Sequence, residues 1–415
     1  MSSSIRIVLL LTVTLNVGHG QILRGQEPPA EGPSQVDLFT EGEEIIDRES
    51  LTEREQKELD KFIEDTTKRY QAIRERLAEE MIEMRSTYIL YVNEVERSPS
   101  ILRRYEKQRE TVRKSMDELY KTALDLAAVK PSEAVAHMIM HMVKHRMDRS
   151  LYDSGLAMGA STLVEGGSQD GQVYLAAARA GIATGRLDLA ESLYKNMKID
   201  ALPDLDANFY RGLEDFREVY EKEGKVREKE AESDDLPRVK LDTSQGEIEL
   251  DLFINEAPSA VSHFIQKVEN GDYDDAEFFQ VVDDLFAVAG EEGRRAVDNG
   301  DRFLLDEHTR PDHRPALYGA VVMMKFPTDE SGNYLDHSAT HDFAITYVPM
   351  IGLSEKMTVI GRVVSGMNAA THLRRVNPAE TQGKGKVSML PICVRVEKRS
   401  APHSGRPKKQ KKSGN

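Results

Sequence analysis

VKLDTSQGEIELDLFINEAPSAVSHFIQKVENGDYDDAEFFQVVDDLFAVAG, running from Val239 to Gly290, decides how this chain is read. Apolar residues at Val239, Leu241, Ile248, Leu250 and Leu252 alternate with polar ones about a turn at Ser244, Gln245 and Gly246, which predicts a β-hairpin. Ala257-Pro258-Ser259 opens a helix in which Val261, Phe264, Ile265 and Val268 recur at helical spacing, and Asn270-Gly271 ends it. After Tyr273 the run Phe278 to Val282 reads as a strand. An acidic turn follows, then a second apolar run, Leu285 to Ala289, ending at Gly290.

These pieces resemble the cyclophilin-type peptidyl-prolyl cis-trans isomerases. Val239 to Leu252 is similar to the family's V-x-L-x-T-x-x-G-x-I-x-L-x-L, and Ala257-Pro258 with Phe264 to its A-P-x-x-x-x-N-F. Gly271-Asp272-Tyr273 before Phe278 fits as well. Further on, Gly319 to Met323 looks like G-x-L-S-M, and Thr358 to Val363 like T-x-F-G-R-V. The resemblance keeps one order over about one ordinary domain. It implies an eight-stranded antiparallel β-barrel that holds proline-containing segments in a groove.

The family's active-site positions are changed here. Its F-H-R-[IV] reads Phe278-Phe279-Gln280-Val281, so its catalytic arginine aligns with Gln280 and its histidine with Phe279. Amide resonance sets a barrier of about 20 kcal/mol against X-Pro isomerisation. A guanidinium that donates to the proline nitrogen draws the lone pair out of conjugation and stabilises the twisted transition state. Gln280 still has an N–H to donate, but a neutral donor gives a bond about half as strong. Loss of one transition-state donor predicts a rate loss on the order of 100-fold.

The resemblance places the rest of the groove at Leu285, Phe286 and Val288, then Met324 and Lys325, Asp342 and Ala344, and Leu353 and Met357, with Phe278 and Phe279 beside Gln280. Lys325 replaces an asparagine, Asp342 a glutamine and Ala344 an aromatic ring. The family's tryptophan is gone, since the chain has none. The spacer between Lys325 and Asp342 is longer than in the family. Two readings follow: weak catalysis from a hydrophobic pocket with one amide donor, or a groove that binds without turnover.

The chain has 415 residues, 31% of them charged, a net charge of −15 and one cysteine, Cys393. That length suggests two or three domains. The acidic balance argues against nucleic acid as a partner, and a lone cysteine excludes an internal disulfide framework. Arg6, the apolar run Ile7 to Val17 and Gly18-His19-Gly20 read as a cleavable export signal, too short to span a bilayer. An exported protein, periplasmic or secreted, with no transmembrane anchor after cleavage, is the expectation.

From Ser50 the pattern turns helical. Ser50 and Glu53 suggest a capping box, and Phe62, Tyr70, Ile73, Leu77, Met81, Met84, Tyr88, Tyr91 and Val95 mark one stripe. Ser98-Pro99-Ser100 breaks the helix. Leu102, Tyr105, Val112, Met116, Leu119 and Leu124 mark a second one folding back as a hairpin, although the stripe also admits a coiled-coil arm. Leu151 to Ala157 resembles Arg186 to Ser192 at a displacement of 35, near the tetratricopeptide period. Such helices bind a partner or serve as a spacer.

His137, His141 and His145 share one helix face but lack a carboxylate partner, so the preferred reading is packing, with no metal and no cofactor. His337 and His341 read as part of a polar loop. The chain then divides into a signal peptide (1–20), a disordered linker (21–35), a long helical hairpin (36–130) and tetratricopeptide-like repeats (131–220). A charged linker (221–236), the cyclophilin-like domain (237–399) and a basic disordered tail (400–415) complete it. The functional expectation is an exported binder of proline-containing peptide or protein segments with weak or lost catalysis. An active foldase for exported proteins and a scaffold that holds a protein partner through its helical half are the alternatives.

Overall fold

The computed structural model describes residues 51–373, except 94–97, 198–201, 234, 275, 291–302 and 329–332. The export signal, the first linker, Ser50, Cys393 and the basic tail lie outside the described residues.

Among the described residues eight helices come first. Helix α1 (Glu53–Asn93) starts at a capping box two residues later than expected. The Thr52 backbone N–H donates to Glu55 Oε2 at 2.9 Å while Glu55 N–H reaches back to Thr52 Oγ1. Pro99 opens α2 (Pro99–Val129), where its missing N–H costs nothing. The two helices run antiparallel: Arg76 bonds Glu118, Arg104 bonds Glu83, and the Tyr88 and Tyr105 rings lie 5.2 Å apart. The buried stripe of α1 is Ile63, Thr66, Tyr70, Ile73, Leu77 and Thr87. Phe62, Met81 and Tyr88, expected on it, are exposed. Thr87 can lie on the inner face because its hydroxyl bonds within the helix, to the Glu83 carbonyl.

Helices α3 (Glu133–Met147) and α4 (Ser154–Glu165) pack against α2, α5 (Gly171–Thr184) packs against α4 and α6 (Leu187–Lys195) against α5, and α7 (Asp204–Arg211) follows. The two copies of the faint repeat open α4 and α6, the first with Asp153 accepting from Leu156 N–H as N-cap. Alanine and glycine let these helices approach closely: a Cβ on Gly159 would meet the Tyr120 hydroxyl at 1.8 Å.

Residues 221–236, expected as a charged linker, are mostly the last turns of α8 (Leu213–Ser233). Glu218–Lys222 and Glu221–Lys225 pairs, each at 2.6 Å, support the helix. The charges are also not all in solvent. Arg314 donates from Nε and Nη2 to both oxygens of buried Glu223, at 2.9 and 2.6 Å, and also bonds Glu230. Arg362 bonds Glu230 at 2.6 Å. Arg314 itself lies 3.9 Å over the Phe253 ring.

Seven strands among the described residues make one antiparallel sheet. They are β1 (Arg238–Thr243), β2 (Gly246–Leu252), β3 (Glu277–Val282), β4 (Phe286–Gly290), β5 (Ala320–Met323), β6 (Phe343–Thr346) and β7 (Val359–Ser365). Their order, β1-β2-β7-β5-β6-β4-β3, corrects the expected eight-stranded barrel: among the described residues β1 and β3 are the two ends, each with one hydrogen-bonded neighbour. The expected domain's last segment, 374–399, lies outside the described residues. Helix α9 (Pro258–Glu269) covers the interior with Val261 and Phe264, where Phe264, Tyr273 and Phe343 meet edge to face or tilted. No helix among the described residues is long and apolar enough to cross a membrane.

Candidate functional site

Strand alternation decides which side chains can form a groove. Ala287 and Ala289 of β4, Phe343 and Ile345 of β6, and Val321 and Met323 of β5 all point into the sheet's own core. Phe286, Val288, Ala344 and Val322 therefore share the opposite face. Strand β3 would place Gln280 on the inner face beside Phe278, but an extra residue intervenes. Phe278 pairs with Ala289 while Gln280 pairs with Val288, so the bulge at Phe279 reverses the parity and turns Gln280 outward. Register then lines up Gln280, Val288, Ala344 and Val322 in one row across four strands.

Gln280 is exposed at the end of this row. Next to it the floor is closed: Val288 is 2% exposed and Ala344 0%. Val322 packs with Met357, Phe253, Ala316 and Val359, and Met324 and Leu353 rest on that cluster. Met357 is fully buried, its N–H bonded to the Leu353 carbonyl at 2.9 Å. Asp342 is buried against Gly290, where a Cβ would come within 2.1 Å of Asp342 Oδ1. With φ at +140°, only glycine fits that place.

Four expected groove residues are placed elsewhere. Phe278 is in the sheet's core, its ring 6.3 Å from that of Phe343, and Phe279 packs on the same interior, because the bulge leaves both on the inner side. Lys325 is buried with its ammonium 2.6 Å from Asp306 Oδ2, since a buried cation needs a carboxylate. Leu285 packs against the helical core, together with Tyr318, Met350 and Ile351. That core takes in Val348 of the C-terminal domain.

The contact beside Leu285 was missed by sequence reasoning. Asp284, at the β3–β4 turn with φ +63°, accepts from Tyr152 OH at 2.6 Å, Ser150 Oγ at 3.1 Å and Arg179 Nη1 at 3.1 Å. Arg179 also donates to buried Asp206 from Nε at 3.0 Å and from Nη2 at 2.7 Å, and Tyr194 donates to the same carboxylate. The available signal was a lone arginine within Ala176-Ala177-Ala178-Arg179-Ala180-Gly181: a charge among small buried residues calls for a buried partner.

The histidine face of α3 does not converge. Contrary to the expectation of no carboxylate on this face, Glu133 one turn earlier lies 3.3 Å from His137, whereas His145 faces the His372 ring at 5.5 Å. Burial, with Arg113 nearby, holds His372 down to about 3, and burial with Arg149 lowers His145. His341 is buried with its ring 4.1 Å from Tyr273, and His337 Nδ1 accepts from Asp306 N–H. Among the described residues no three ligating side chains gather as a metal site would need.

Residues 238–394 match the family described as cyclophilin type peptidyl-prolyl cis-trans isomerase/CLD. Peptidyl-prolyl cis-trans isomerase cypE of Dictyostelium discoideum is 28% identical over 158 residues, covering 37% of this chain and 93% of that protein. Peptidyl-prolyl cis-trans isomerase-like 1 of Homo sapiens is 27% identical over 154 residues, 36% of this chain and 85% of that one. A solved cyclophilin-type isomerase of Cryptosporidium parvum aligns at TM-score 0.32 and 17% identity, covering 40% of this chain and 99% of that one.

Proposed function

We propose, with residues 238–394 as a cyclophilin-type domain, that this protein binds proline-containing segments of client proteins with catalysis weak or lost. The observation that carries this is the row Gln280, Val288, Ala344 and Val322. The bulge brings residue 280 to the outer face, where the resemblance puts a catalytic arginine, and the residue there is neutral. Lys325, expected in the groove in place of an asparagine, is held by Asp306. A neutral donor leaves the developing charge on a twisted prolyl amide less stabilised.

An export signal at 1–20 would carry the protein out of the cytoplasm, so its clients are exported proteins in a periplasmic or secreted setting. The helices from 131 to 220 are read as tetratricopeptide-like.

A second reading, a non-enzymatic scaffold, is favoured by one specific contact. Leu285, a groove position in the resemblance, packs into the helical core, and Asp284 beside it is held by three helical side chains. Titration of an X-Pro peptide into the full chain, beside a Gln280→Arg variant, separates the readings. Binding without turnover in the natural chain, with turnover gained in the variant, is the expected result. Absence of binding in both would overturn the prolyl reading and leave the scaffold.

A further inference from the structure

Of the twelve large apolar side chains left exposed among the described residues, six lie on the last turns of α1, and the others are scattered. Met81, Ile82, Tyr88, Ile89, Leu90 and Val92 are each between 47% and 68% exposed. The inner side of these turns is already used: Thr87 is buried, Met84 packs onto the helical core, and the Tyr88 ring, at the border of the two faces, meets Tyr105 while staying 48% exposed. At 100° per residue, Tyr88, Met81, Val92, Arg85, Ile89 and Ile82 fall within an arc of about 120°. A helix apolar on two faces needs cover on both, and an exposed patch of this kind marks an interaction site.

We propose that a second copy of this chain covers the face, α1 against α1 and antiparallel. Met81, Arg85, Tyr88 and Val92 are spaced four, three and four residues apart, a pattern that reads the same in both directions. A two-fold axis between Ser86 and Thr87 therefore sets Met81 opposite Val92 of the second copy and Arg85 opposite its Tyr88, an isologous contact. Arg85 is the one charge in the arc, and it makes no ion pair among the described residues. Antiparallel pairing lays its guanidinium over an aromatic ring, whereas parallel pairing would bring two Arg85 side chains together. Ile82 and Ile89 flank this centre as apolar neighbours that exclude water. An anionic lipid surface is the lesser match, because the arc carries a single cation, Arg85, where a lipid-binding helix face is rich in lysine and arginine.

Sedimentation of the full chain over a wide concentration range tests the proposal. A reversible dimer is expected, and Ile89→Asp weakens its association by about 100-fold or more while leaving the thermal melt of the monomer in place. Orientation is read by disulfide trapping in a Cys393→Ser background. Met81→Cys with Val92→Cys links two copies under mild oxidation, and Met81→Cys alone does not. A monomer at every concentration, a dimer indifferent to Ile89→Asp, or linking by Met81→Cys alone overturns the proposal. So does a monomer that binds anionic vesicles through this face, which would assign the patch to lipid.

Discussion

Gln280 and His372 show how single side chains report on this fold. Gln280 reaches the outer face only because of the bulge at Phe279, and its neutrality follows from its side chain alone. His372 is neutral in the folded state, its pKa held at about 3 by burial and by Arg113, against an ordinary value of 6.5. A depressed folded value means that the unfolded chain binds the proton first. The stabilisation is therefore complete above about pH 6.5 and is lost as pH falls toward 3. Denaturant unfolding at successive pH values should show the natural chain losing stability over that window more steeply than His372→Gln. Equal slopes would contradict this account of His372.

Helix α8 is where an element departs from its sequence reading. Its acidic residues look like a solvated linker, yet Glu223 is buried under Arg314, 91 positions away. Arg314→Ala would leave that buried carboxylate to Arg227 alone, whose Nε lies 2.8 Å from it, and a loss of about 1–3 kcal/mol in unfolding measurements is expected. A loss near zero would show the latch to be ornamental. Burial pushes the Glu230 carboxyl up, but hydrogen bonds from Arg314 and Arg362 outweigh it and hold the group below its usual range. Its share of the latch is present above about pH 4.5 and fades in stronger acid. The hairpin β1–β2 and helix α9 were legible because period-2 and period-3.6 patterns are local. The α8 latch, the Phe279 bulge and the burial of Lys325 were not, since each depends on a partner distant in sequence or on a register that periodicity cannot fix. Of the positions expected in a groove, register brings Gln280, Val288 and Ala344 into one row, while Phe278 and Phe279 turn inward, because a bulge reverses the alternation that the sequence pattern implies.

Across the whole molecule, the helices and the sheet are joined by polar contacts at both the Asp284 turn and the α8 latch. Asp284→Ala removes the acceptor shared by Ser150, Tyr152 and Arg179. It should cost about 1–3 kcal/mol and expose the junction to limited proteolysis before either half unfolds. Unchanged proteolysis would show that Leu285 and its apolar neighbours hold the junction alone. The central proposal concerns chemistry: that residues 238–394, which match the cyclophilin-type family, carry neutral Gln280 where the resemblance puts a catalytic arginine, with a closed floor beside it. The most direct measurement is the rate of X-Pro isomerisation by the full chain beside an arginine-bearing cyclophilin at equal concentration. The account predicts a rate lower by roughly 100-fold or more; equal rates would contradict it.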